Sequence, residues 1–105
     1  MKSSETAGIP FPTRLQIATR AYGVGQFVLA KTAFEEAWSA GEFTGADQTF
    51  LQQYYASVYN LGLHWAEEGS GTTQQDGFQL LVAADLIDSY YHVGARTAWG
   101  ALHRL

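Results

Sequence analysis

An all-α fold follows from three features of this sequence. Apolar residues recur at three- and four-residue intervals over three long stretches, glycine-containing segments separate those stretches, and nowhere do apolar and polar residues alternate over a useful length. The expected architecture is an antiparallel bundle of three long helices, or four where the last one breaks, forming one domain over residues 13–105 behind a flexible N-terminal arm, residues 1–12.

The arm is small and polar up to Ile9, and Pro10 and Pro12 oppose helix within it. From Thr13 to about Ala40 one apolar row runs Ile17, Ala21, Val24, Val28 and a neighbouring one Phe27, Ala30, Phe34, Trp38, which together predict a wide buried stripe. Thr13, directly after Pro12, is the expected N-cap and Gly41 the expected terminator. Gly23 and Gly25 interrupt the pattern and predict either a kink or a close helix–helix approach.

The segment GEFTGADQ ends that periodicity, and Thr44 with Asp47 resembles a weak helix start. A second helix is then expected with Leu51, Tyr55, Val58, Gly62 and Trp65 on one face, widened by Tyr54 and Leu61, and ending in the flexible stretch Glu68 to Gly71. Thr73 and Asp76 repeat the weak start signal. The third helical face comprises Leu80, Ala84, Ile87, Tyr91, Gly94, Ala98 and Leu102, with Ser89, Gly94 or Gly100 as the place for a break.

Three fragments look alike: Tyr22-Gly23-Val24-Gly25, Tyr59-Asn60-Leu61-Gly62 and Tyr91-His92-Val93-Gly94. A small residue at these positions lets another helix come close, which is a packing reason for the likeness. The stretch SVYNLGLHWAEEG, with its Leu-Gly pair and the glycine that follows, resembles the first helix of a tetratricopeptide-like repeat over about a dozen residues. The unequal intervals between the fragments and the long spacer GSGTTQQDG favour a compact bundle over such a repeat array.

Composition excludes several function classes. The chain has no cysteine, so disulfides, thiolate nucleophiles and Cys-type zinc or iron–sulfur sites are ruled out. Ten acidic against six basic residues give a net charge of −4, and Lys2, Arg14, Arg20, Lys31, Arg96 and Arg104 are scattered, which argues against direct binding of nucleic acid or of an anionic membrane. No apolar run approaches the roughly 20 residues of a membrane span, and Met1 to Pro12 lacks the apolar core of a secretory signal, so a cytoplasmic chain is expected. No Gly-x-Ser-x-Gly elbow, phosphate-binding loop or dinucleotide fingerprint is present, and neither an enzymatic activity nor a cofactor is predicted.

Two sets of residues remain as candidates. Fifteen aromatic residues make up 14% of the chain, and the clusters Tyr54, Tyr55, Tyr59 and Tyr90, Tyr91 place adjacent rings about 100° apart on a helix, so that one core cannot bury them all. Tyrosines with few charges around them suit a protein interface. The leading expectation is therefore a small acidic interaction module, an accessory subunit, adaptor or inhibitor of a larger assembly, whose partner is another protein or a second copy of itself.

The alternative is a bundle that binds a metal or a small apolar ligand between its helices. His64 with Glu67 and Glu68, and Asp88 with His92, put imidazole and carboxylate on one helical face, to which Glu35 and Glu36 could add. Inward-facing Glu and His on several helices build such metal centres, but these carry Glu-x-x-His motifs, and none occurs here. Read as ordinary surface pairs, His64–Glu68 and Asp88–His92 contribute only a few tenths of a kcal/mol each. His92 and His103 would stand about 16 Å apart along one helix, too far to share a metal.

Overall fold

The computed structural model describes residues 12–105, and apart from Pro12 the expected arm lies outside the described residues. Five helices and no strand are found among them: α1 (Arg14–Gly23), α2 (Phe27–Ser39), α3 (Gln48–Glu68), α4 (Thr72–Tyr91) and α5 (Thr97–Arg104). They stack in chain order, each on its predecessor, with α3 and α4 in the most extensive contact and a smaller contact of α1 on α3. The all-α bundle is as expected, with the predicted break in the last helix and a further break in the first.

Thr13 caps α1 as predicted. Its hydroxyl accepts the Gln16 N–H at 3.1 Å, and the Gln16 side chain accepts the Thr13 N–H at 2.9 Å, a full capping box. Glu42, from the loop after α2, reaches back to the same helix end, accepting the Leu15 N–H at 2.9 Å and pairing with Arg14 at 3.2 Å. A carboxylate at a helix N-terminus meets the positive end of the helix dipole, so this contact ties the α1–α2 hairpin shut.

The glycines of the first stretch neither kink a continuous helix nor admit a neighbour. Gly25 takes φ +78°, the helix stops, and a Cβ at Gly23 or Gly25 would meet nothing within 4 Å. The break changes the helical phase, so the predicted row is corrected: Ala18 and Ala21 are buried, while Ile17, Val24 and Val28 face outward. The second row fares better, with Ala30 and Phe34 buried and Trp38 half-buried.

At the other starts the capping signals act locally without opening the long helices. Asp47 accepts the Thr44 N–H at 2.8 Å and so closes a turn ahead of α3, which begins one residue later. The helix α4 starts at Thr72 after Gly71 at φ +58°, so Thr73 lies inside it and not at its cap. Most of the supposed spacer GSGTTQQDG is therefore helix, and only Gly69–Gly71 connects α3 to α4.

The α3–α4 crossing is set by two glycines. A Cβ on Gly77 would strike the Ala66 backbone nitrogen, and one on Gly62 would come within 2.9 Å of Leu80 Cβ. Of the three look-alike fragments, the second and third thus do have packing reasons: Gly62 admits α4, and Gly94 lies under the Tyr55 ring. The first does not, and the three play three different parts.

Candidate functional site

The five predicted interface tyrosines have different surroundings. Tyr55 is 5% exposed, and its phenol oxygen accepts the Ala98 N–H at 3.1 Å and bonds the Thr97 hydroxyl, fixing the N-terminus of α5 against α3. Tyr59 stacks on Tyr55 at 6.0 Å between ring centroids and is half-buried. Tyr54 donates to Glu35 at 3.1 Å, bridging α3 to α2. Tyr91 packs edge-on against Trp38 at 5.7 Å. Tyr90 alone stands out in solvent, 77% exposed.

Burial is the first cause holding the Tyr54 phenol far above its ordinary ionisation range, and the Glu35 carboxylate beside it is the second. Burial pushes Tyr55 the same way, against the bonds from Thr97 and Ala98, which favour its ionised form.

Tyr90 belongs to a surface feature that the tyrosine clusters alone did not reveal. On α4, Gly77, Leu81, Ala84 and Asp88 turn inward, while on the opposite side Val82, Leu86 and Tyr90 recur at every fourth residue, 48%, 65% and 77% exposed. Their helical neighbours Gln75, Gln79 and Ser89 are exposed and uncharged. The spacing of Val82, Leu86 and Tyr90 is legible in the sequence, but so is the competing row on the inner face. Which row is buried is decided by Gly62 and Gly77, because the glycine side of α4 is the side that can approach α3.

The histidine and carboxylate candidates do not converge. His64 pairs with Glu68 at 2.8 Å on the exposed face of α3, and Glu67 is exposed beside them. Asp88 does not pair with His92. Its two oxygens accept the N–H groups of Gly94 at 2.7 Å and Arg96 at 2.6 Å, so this buried carboxylate organises the turn from α4 into α5. His92 ends α4 in the left-handed conformation with its side chain exposed. Among the described residues no three His, Asp or Glu side chains are grouped to hold a metal ion.

A cavity of about 340 Å³ opens between α2, α3 and α4, lined by Glu35, Trp38, Ser39, Tyr54, Ile87 and Tyr91. Glu35 also takes the Lys31 ammonium at 3.0 Å. The basic residues Arg14, Lys31 and Arg96 each lie beside a carboxylate, of Glu42, Glu35 and Asp85 respectively, so they do not combine into a basic patch. No helix among the described residues is long and apolar enough to cross a membrane. Comparison with protein-family models, with curated proteins and with solved structures finds no match to this chain.

Proposed function

We propose that this chain is a protein–protein interaction module, an accessory subunit, adaptor or inhibitor, that docks through the outer face of α4. The reading rests on Val82, Leu86 and Tyr90, three large apolar side chains in one row exposed directly opposite the buried side of the helix. Apolar area left in water at one contiguous site is stabilised by a partner that covers it. The acidic balance of the chain and its absence of cysteine fit a cytoplasmic module of this kind.

The first partner to test is a second copy. Two α4 helices laid antiparallel about a twofold axis at Leu86 would set Val82 of each against Tyr90 of the other, a small side chain facing a large one. The neighbouring Gln79 and Ser89 are uncharged, and the acidic residues nearest the row, Asp76 and Asp85, lie at its two edges. Light scattering across a concentration series should give twice the 11.5 kDa of one chain. Leu86→Lys should restore the single-chain mass with unchanged helical circular dichroism. A wild-type chain that stays single at millimolar concentration rules out the second copy. Photo-crosslinking from position 86 in lysate of the source then tests for another partner, and an absence of crosslinked protein overturns the docking reading.

A further inference from the structure

The cavity between α2, α3 and α4 combines two kinds of wall. Trp38, Tyr54 and Tyr91 bring three electron-rich rings, and the planes of Trp38 and Tyr91 stand 63° apart, so that they form differently inclined walls. Glu35 brings a carboxylate to the same space, and Ile87 adds an aliphatic wall. A neutral apolar ligand would use the rings and the aliphatic wall but gain nothing from the carboxylate, whose existing partners are Tyr54 and Lys31. A hydrated metal ion would use the carboxylate and waste the rings. A cation with an apolar shell uses all of them, because ring faces and carboxylate both attract its charge while its methyl groups fill the volume.

We propose that this cavity binds a quaternary ammonium group. Its walls are set in place by contacts outside the ligand's reach: Trp38 packs on Phe43 at 5.1 Å, Tyr54 on Phe34 at 6.1 Å, and Tyr91 lies so close to Gly45 that a Cβ there would come within 2.7 Å of the ring. Preorganised walls spare the ligand the cost of ordering them. Lys31 is the basic residue paired with Glu35, and as an ammonium on the same carboxylate it competes with the ligand. The site shares no residue with the outer face of α4, and although Tyr90 of that face packs on the Tyr91 wall at 4.6 Å, the binding of a cation and the pairing of chains are tested by separate measurements.

The quaternary ammonium could belong to a free small molecule or to a trimethyllysine side chain, and titration of the full chain with choline and with a short trimethyllysine peptide distinguishes them. The three indole N–H signals of Trp38, Trp65 and Trp99 are followed by NMR, alongside the neutral choline analogue 3,3-dimethylbutan-1-ol. Saturable binding of either cation should move the Trp38 signal and leave Trp65 and Trp99 in place, with choline or the peptide preferred over the neutral analogue by about fivefold or more. Glu35→Gln should weaken binding and Lys31→Met should tighten it, both with unchanged circular dichroism. The tighter of the two cations identifies the source. Equal binding of the neutral analogue, movement of both charge variants in one direction, or a Trp38 signal that neither cation shifts would overturn the proposal.

Discussion

At the scale of single residues, Tyr54 shows how burial converts a side chain into a pH-dependent element of stability. Its phenol keeps its proton in the folded chain at pH values where the unfolded chain has lost it, because burial and the Glu35 carboxylate both disfavour the phenolate. Folding therefore retains a proton above the ordinary tyrosine value of about 10. The stability carried by the protonated phenol is complete below that pH and declines as pH rises beyond it. Urea denaturation at a series of pH values should show wild-type stability falling more steeply above pH ~10 than that of Tyr54→Phe, by up to about 1.4 kcal/mol per pH unit. Tyr55 is present in both proteins, so the difference isolates Tyr54. Equal slopes would mean that the phenol titrates freely in the folded chain. Sequence alone indicated that the five clustered tyrosines could not all be buried. It did not indicate which, since that depends on Glu35 and Ala98 arriving from other helices.

At the scale of helices, the glycines separate into two kinds that look the same in the sequence. Gly23 ends α1 in open space, and Gly77 lies against the backbone of α3. Alanine at position 23 restricts the unfolded chain without meeting a neighbour and should stabilise by about 0.5–1 kcal/mol. Alanine at position 77 must push α3 and α4 apart and should cost about 1–3 kcal/mol or more. Thermal or urea melts of the two variants give opposite signs if the α3–α4 crossing is as described. The Thr13 cap and the Gly41 stop, where Gly41 at φ +75° follows the end of α2 at Ser39 and Ala40, were legible because their chemistry is local. The start of α4 was legible to within one residue, but the break at Gly25 was not, because nothing in the sequence distinguishes a glycine at positive φ there from a packing one.

The turn from α4 to α5 makes the same point with a carboxylate. Asp88 reads from sequence as half of a surface pair with His92, yet its oxygens serve the backbone of Gly94 and Arg96. Asp88→Ala leaves two amide donors without their charged acceptor and should cost about 3 kcal/mol. Asp88→Asn should recover only part of this, since its NH2 group must face one of the donors. Hydrogen exchange at Thr97–Arg104 should quicken more than exchange in α3 if the carboxylate anchors α5. Uniform quickening would show that it supports the whole core instead.

Across the whole molecule, the interior is built from small residues and the surface keeps many of the large ones. Among the described residues, nine of the sixteen buried apolar ones are alanines, which lets the helices pack closely but leaves little room between them for large side chains. Val82, Leu86 and Tyr90 are outside for that reason as much as for any local one, and a periodicity count cannot see it because it scores alanine and leucine alike as core. If that face pairs with a second copy, the two chains, each with a net charge of −4 spread over the molecule, repel. Raising the salt from 0.1 to 1 M shortens the screening length from about 10 to about 3 Å and should strengthen association, because the apolar contact persists while the repulsion fades. A partner with a basic docking face would behave oppositely, losing affinity as salt rises. Sedimentation of the chain alone in both buffers therefore tests what drives pairing, and a dimer that dissociates in 1 M salt would show that charge, and not the α4 stripe, holds it together.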